Sequence, residues 1–390
     1  MAEPIRILHV LGRLNRGGAE TMILNLYRSI DRSKVQFDFM VHTIDRCDYE
    51  DEILEMGGKI YCIPRYLGEN HFQYKKAWNM FLKSHTEYKI IHGHLRSTAS
   101  IYMRIAKKHG RVTIAHSHST ASRGNKLEQF VKNILQLPIR YSADYLFACS
   151  DEAGRWLYGE RATKGVNYMV IKNAIDIDKH VFDEVNRKKI RKELEVQNKF
   201  VVGHVGSFTY PKNHKFLVNV FHEVQKKNKN AILLLIGDGE LRTQIQNQIL
   251  DLGLKKKVIL TGVVSNVNEY LQAMDMFVFP SIFEGLPVTV IEAQATGLPC
   301  IISDRITKEV NISTLVKSIS LNASEELWAE TIINYQSNVN RHDMYQDVVK
   351  AGYDIETSRL WLEEFYIREY QKKSCYEDMN HNYNSGRPEL

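Results

Sequence analysis

The sequence predicts an α/β protein built from two doubly wound parallel-sheet domains. Three observations carry that expectation. The chain has 390 residues, and at roughly 100–200 residues per domain this length favours two cores over one. Short, continuous Val/Ile/Leu runs alternate with helix-like stretches, as expected for strands covered on both faces. The alternation also begins twice, near residue 5 and again near residue 199.

In the first series Ile5–Leu11 reads as a buried strand, then a glycine-containing turn, then a helix over about Ala19–Ile30. Phe37–His42, Lys59–Ile63, Ile90–His92, Val112–His116 and Tyr145–Ser150 are the further strands. In the second series the strands are Lys199–Gly206, Ala231–Gly237, Val258–Thr261, Met276–Pro280 and Pro299–Ser303. Helices are expected at His214–Lys227, up to Leu252, at Val267–Ala273 and at Pro287–Thr296. The polar stretch Asn173–Lys199 places the boundary, giving domains of 1–175 and 176–356. Thr357–Tyr370 is amphipathic, with Leu360, Trp361, Phe365 and Ile367 on one side, and is expected to cross back onto the first domain. Residues 371–390 have the composition of a disordered tail.

Hydrophobic residues make up 44% and charged residues 25% of the chain, ordinary values for a globular protein. No apolar run reaches the ~18 residues that suggest a membrane span. The start, Met1 to Arg6, leads into a short strand-like run that meets Arg13, unlike a signal peptide. Five scattered cysteines form neither a metal knuckle nor a disulfide framework, which fits a reducing cytoplasm. Residues 1–175 carry 26 Lys and Arg against 17 Asp and Glu, whereas the remainder carries 26 against 29. A basic first half suits an anionic partner such as a membrane surface, although a solvated basic face is the plain alternative. A nucleic-acid partner is not expected.

The sharpest motif is Glu284-Gly-Leu-Pro-Val-Thr-Val-Ile-Glu292, which leaves a strand and enters a helix. Its loop and first turn offer N–H groups at Gly285, Leu286, Val288 and Thr289; Pro287 offers none and suits a first helical position. Such a helix start favours an anion, and a carboxylate further along can accept bonds from ribose hydroxyls. Two glutamates at this spacing alone would more often be surface residues. A second piece, Gly203-His-Val-Gly206-Ser207-Phe-Thr-Tyr-Pro-Lys212, places a lysine where a helix begins. That ammonium can neutralise a diphosphate and stabilise it as a leaving group, though an isolated loop lysine is usually just solvated. The third piece, Leu235-Ile-Gly237-Asp-Gly239-Glu240, is a strand ending in a glycine-rich turn and is weak by itself.

In this order the pieces resemble the retaining glycosyltransferases of family 4, which have the GT-B fold of two Rossmann-like domains with a cleft between them. Thr261-Gly262-Val263, Phe279-Pro280-Ser281, Ala295-Thr-Gly-Leu-Pro299, Asn173-Ala-Ile-Asp176 and Gly17-Gly18-Ala19-Glu20 add to the match, which spans about residues 5–370. It is nearest to enzymes that build bacterial capsule or exopolysaccharide. The resemblance implies that Glu292 holds the donor ribose and that Glu284 contacts the donor sugar. The Val288 and Thr289 amides meet the diphosphate, as does Lys212. Gly285, Leu286, Ser207 and Gly237 line the same site, and Val263 and Val264 lie near the base. Gly17 and Gly18 let backbone approach the reacting centre. His116 matches the histidine that touches the donor sugar, with His118 as the alternative in register.

The family usually has a basic residue directly after the glycine of the lysine loop, and here that position is Ser207. A serine cannot clamp a phosphate with two parallel hydrogen bonds as arginine does. Pro287 is a smaller departure, where glycine is commoner. His92-x-His94 and His116-x-His118 each put two rings on one face of an extended segment and could be read as a metal centre. No Asp-x-Asp motif accompanies them, and the family usually needs no metal, so no metal or other cofactor is expected. Ser117–Arg140 interleaves Arg123, Lys126, Lys132 and Arg140 with Leu127, Phe130, Val131, Ile134 and Leu135, which suits either a membrane-surface helix or one packed on the core.

The expected function is transfer of a sugar from a nucleotide-diphosphate donor, with uridine diphosphate as carrier, to a glycan or polyprenyl-phosphate-linked acceptor. The family's chemistry implies retention, with attack on the face that the leaving group vacates. A nucleotide-sugar 2-epimerase and a non-catalytic nucleotide-binding partner subunit are the alternatives. The expected place is the cytoplasm, at the inner face of the plasma membrane.

Overall fold

The computed structural model describes residues 3–96, 98–119, 134–335 and 340–385, with side chains to residue 375. The chain divides into two compact units, Met1–Ala174 with Ile355–Leu390, and Ile175–Asp354.

The first unit holds a seven-stranded sheet in the order β3-β2-β1-β4-β5-β6-β7. Its strands are β1 (Ile5–Val10), β2 (Val35–Val41), β3 (Ile60–Cys62), β4 (Ile90–Gly93), β5 (Val112–Ser117), β6 (Tyr145–Ala148) and β7 (Tyr168–Val170). All pairings are parallel. Both faces are covered, because β1 sends Ile7 into one apolar cluster and Leu8 and Val10 into another. This two-sided burial is why the strands read as continuous apolar runs rather than alternating ones.

The second unit repeats the plan with six parallel strands, ordered β10-β9-β8-β11-β12-β13. They are β8 (Phe200–Val205), β9 (Ala231–Ile236), β10 (Val258–Gly262), β11 (Met276–Phe279), β12 (Cys300–Ser303) and β13 (Val316–Ile319). Leu233 and Leu235 pack to one side of β9, and Ile232, Leu234 and Ile236 to the other.

Strands β7 and β13 are the two that the apolar pattern did not reveal. Each is a short edge strand, and Val316-Lys-Ser-Ile319 keeps only its ends apolar. The last helix differs more. It spans Ile355–Ser385 and so runs through residues 371–385, where the composition suggested a disordered tail. Its early turns bury Leu362, Phe365 and Tyr366 in the first unit's core. Once those turns are anchored, each further residue adds a hydrogen bond without a new nucleation cost. Lys372–Glu369 and Lys89–Ser374, both 2.8 Å, tie the next turns. Most of the Ser117–Arg140 segment, residues 120–133, lies outside the described residues.

The strand order reverses once in each sheet, between β1 and β4 and between β8 and β11. At such a switch point the loops from adjacent strands leave in opposite directions and open a crevice at the C-terminal strand ends. The motifs singled out above follow β1, β5, β8, β9, β10 and β11.

Candidate active site

In the second unit the switch point joins the lysine loop after β8 to the glutamate loop after β11. Three contacts stitch them. Ile282 N donates to Pro211 O (2.8 Å), and Asn213 Nδ2 donates to Pro280 O (3.1 Å). Lys212 Nζ sits 2.8 Å from Glu284 Oε1 as an ion pair, without the angles of a hydrogen bond. The same ammonium lies 4.6 Å from the Phe279 ring centroid. Asn213 adopts a left-handed conformation (φ 58°), a strain that asparagine tolerates better than most residues, and it turns the chain into the His214–Lys227 helix. Lys212 and Glu284 are 18% and 16% exposed, so both charges are held in place before any ligand arrives.

The helix after the glutamate loop is Val288–Ala295. Pro287 is its N-cap residue, with extended ψ of 95°, rather than its first helical residue. The cap still leaves the N–H groups of Gly285, Leu286, Val288 and Thr289 without partners among the described residues. The buried Thr289 hydroxyl is likewise unpartnered. Unpaired donors at a helix start, with a lysine beside the loop, make a place for an anion. One helix turn beyond Val288, Glu292 lies 4.0 Å from His180 Nε2, whose Nδ1 bonds to Asp176 O at 2.8 Å.

Backbone packs closely where glycines were singled out. Gly237 has φ +132°, and a Cβ there would collide with the Gly206 carbonyl oxygen. The β8 and β9 loops can therefore lie side by side only with glycine at this position. Ser207 is exposed, and its hydroxyl reaches only Thr209 Oγ1 at 3.4 Å. Arg242, which sequence reasoning missed, projects back to the same strand ends. Its guanidinium binds Asp238 at 2.8 Å, and Gly262 has no side chain to crowd it. The i, i+4 spacing of Asp238 and Arg242 was the available signal. Val263 is 65% exposed, and Val264 packs partly into the core.

In the first unit Gly17 caps the helix Gly18–Ser29, and the Glu20 carboxylate folds back against it. A Cβ at Gly18 would meet nothing within 4 Å, so that position is open. The histidines converge more than their two pairs suggested, because β1 contributes a fifth ring, His9. His9 Nδ1 is 3.0 Å from His94 Nε2, and His94 Nδ1 is 2.8 Å from His118 Nε2. His92 Nε2 is 3.1 Å from His116 Nδ1, and His92 Nδ1 is 2.6 Å from the Tyr366 hydroxyl. Two three-histidine sets, His9/His92/His94 and His94/His116/His118, have ring nitrogens within 4.8 Å of one another. Several ring pairs are stacked, with 9° between His9 and His94 and 25° between His116 and His118, whereas His94 is tilted by 39° from His116 and 38° from His118. The ring nitrogens meet in pairs at hydrogen-bond distance.

Burial, complete for His9, His92 and His116 and partial for His94 and His118, favours neutral imidazoles. It pulls His9 and His118 down to about 3, and drives His92, His94 and His116 well below the usual range, with the neighbouring rings adding to the effect. The sign for stability follows. The unfolded chain takes up protons near pH 6.5 that the folded array refuses, so stability is whole above about pH 7 and declines as pH falls. Urea unfolding at pH 7.5 and pH 5.5 should differ on the order of several kcal/mol, since each such histidine contributes about 1.4 kcal/mol per pH unit. A flat profile would contradict a buried, neutral array.

Comparison with known proteins places this geometry in a family. Residues 16–179 match the model for Glycosyltransferase Family 4, and residues 185–353 match Glycosyl transferases group 1. The chain is 33% identical over 359 residues to EpsF of Bacillus subtilis (strain 168), named as a glycosyltransferase, which covers 90% of this chain and 93% of that protein. It is 26% identical over 375 residues to the capsular polysaccharide biosynthesis glycosyltransferase CapH of Staphylococcus aureus, covering 93% and 99%. Its fold is similar to Anabaena Alr3699/HepE in complex with UDP, with a TM-score of 0.75, 17% identity, and coverage of 93% of this chain and 100% of that one. The chain belongs to the group 1, family 4 glycosyltransferases and is a glycosyltransferase of the GT-B fold.

Proposed function

We propose that this enzyme moves a sugar from a uridine-diphosphate donor to a glycan or polyprenyl-phosphate-linked acceptor, with retention, in surface-polysaccharide biosynthesis. The observation that carries the donor reading is the set of four unpartnered N–H groups at Gly285, Leu286, Val288 and Thr289, with Lys212 beside the loop. HepE, bound to UDP, and CapH, named for capsular polysaccharide, support the carrier and the pathway class.

In this reading the amides and Lys212 hold the diphosphate, and Glu292 holds the ribose through its carboxylate. Lys212 matters most as the glycosidic bond breaks, because charge then develops on the leaving phosphate. Glu284 keeps the ammonium in place and faces the sugar. Arg242 supplies the basic group that Ser207 lacks. The departing phosphate takes the proton from the acceptor hydroxyl as it attacks, so no carboxylate pair of the glycosidase kind is needed. The cations and amides carry the charge stabilisation that a metal would otherwise provide.

Among the described residues no helix is long and apolar enough to cross a membrane. Peripheral contact at the inner face of the plasma membrane is part of the proposal, supported by the His71–Ser84 helix. Tyr74, Trp78 and Leu82 bury one face, while the other exposes Phe72 (82%) and Met80 (61%) among Lys75, Lys76 and Lys83. A basic face with exposed apolar side chains suits an anionic bilayer.

Two experiments test these readings. Glu292→Ala should raise the Kd for uridine diphosphate about tenfold or more, the loss of a charge-assisted hydrogen bond or two. Lys212→Ala should lower kcat roughly 100-fold, the scale of a transition-state donor, and EDTA should leave the wild-type rate unchanged. Unchanged affinity and turnover in both variants would remove the site assignment, and release of an epimerised sugar without acceptor would replace transfer by epimerisation. Separately, the protein should co-sediment with phosphatidylglycerol vesicles and lose that affinity on combining Lys75→Glu with Lys76→Glu. Equal binding to neutral vesicles contradicts the basic face as the contact.

A further inference from the structure

The histidine array contains two hydrogen-bonded ladders, and they differ at one end. The ladder His9–His94–His118 begins and ends on imidazole nitrogens without partners among the described residues, His9 Nε2 and His118 Nδ1. The ladder Tyr366–His92–His116 begins on a hydroxyl. Tyr366 comes from the C-terminal helix, is fully buried, and has His92 Nδ1 as the only hydrogen-bond partner of its hydroxyl among the described residues.

That difference fixes the direction of the hydrogen bonds. A buried O–H that accepted from His92 would strand its own hydrogen, which costs more than donating it. Tyr366 therefore donates to His92 Nδ1. Neutral His92 must then carry its hydrogen on Nε2, because a neutral imidazole has one donor and one acceptor nitrogen. Nε2–H donates across 3.1 Å to His116 Nδ1. His116 in turn must carry its hydrogen on Nε2, an atom that is buried with no partner among the described residues.

We propose that Tyr366 and His92 are positioning residues that set the tautomer of His116, so that His116 offers an Nε2–H donor, and not a basic nitrogen, to an oxygen of the donor sugar. The assignment of His116 to the sugar rests on the family resemblance and the transfer function proposed above; the ladder does not. Two buried features keep the setting single-valued. The phenol is held far from ionising, and the imidazoles are held neutral, both by burial. An added proton on either ring would turn an acceptor nitrogen into a donor and break the ladder. Phenylalanine at position 366 would fill the same apolar space between Phe37 and Phe365 but would leave His92 Nδ1 without its donor.

The tautomer can be read without turnover. Long-range 1H–15N correlation spectra of the ligand-free, full-length protein, with His116 assigned by loss of its signals in His116→Asn, should show the Nε2–H form. In Tyr366→Phe, which keeps the ring and loses only the hydroxyl, His116 should shift to the Nδ1–H form or to a mixture. The Nδ1–H form in the wild type, or an unchanged tautomer in Tyr366→Phe, would overturn the ladder. The wild-type spectrum decides the first point even if the variant folds poorly. In transfer assays Tyr366→Phe should lower kcat about tenfold, the worth of one hydrogen bond, with the KM for acceptor unchanged. A shifted tautomer with unchanged kcat would overturn the assignment of His116 to the sugar while the ladder stands.

Discussion

The reversal of strand order at β8 and β11 is the constraint on which the proposed donor site depends. It sends two loops out of adjacent strands in opposite directions, and those loops carry Lys212 and Glu284. Everything else at that site keeps the two loops in register. The Ile282 backbone amide and the Asn213 side-chain amide hold them together, the ion pair fixes the two charges, and Gly237 allows the β9 loop to lie against Gly206. The donors left over at Val288 and Thr289 are free because Pro287 caps the helix without supplying a side-chain acceptor. A pre-placed set of charges and amides spends little reorganisation when a diphosphate arrives, which is how such sites stabilise charge that appears during bond cleavage.

Most of this was legible in the sequence for physical reasons. Strands buried on both faces must be apolar throughout, so β1, β2, β8 and β9 declare themselves within a residue or two. The helix His214–Lys227 is found with both ends correct because its apolar residues keep a 3.6-residue period between a polar start and Asn228. Edge strands β7 and β13 carry no such demand and went unseen. The extension of the last helix to Ser385 was hidden because composition reports average polarity, whereas the helix is anchored by three residues near its start. At the site, Glu284, Lys212 and Glu292 were legible from spacing. Arg242 was not, because its importance lies in which strand end it returns to. His9 was passed over for a similar reason: an isolated histidine in an apolar strand reads as core until four others converge on it.

The first unit uses buried polarity differently. Five imidazoles in an apolar sheet would each be costly alone, since an unpaired buried polar group forfeits its hydration. Pairing nitrogen to nitrogen, with the Tyr366 hydroxyl at one end, removes most of that cost and leaves three ring atoms, His9 Nε2, His116 Nε2 and His118 Nδ1, without a partner among the described residues. Such remainders are uncommon in folded proteins and gather where a ligand completes the bonding. The array also makes the fold sensitive to acid.

In the proposed site the amides of the glutamate loop and the helix behind it bind the donor's diphosphate. Hydrogen–deuterium exchange with and without uridine diphosphate tests it most directly, because amides that lack partners exchange quickly until something accepts from them. Exchange should slow over Gly285–Glu292 and over Gly206–Lys212 when the nucleotide binds. Binding that slows neither segment would contradict it.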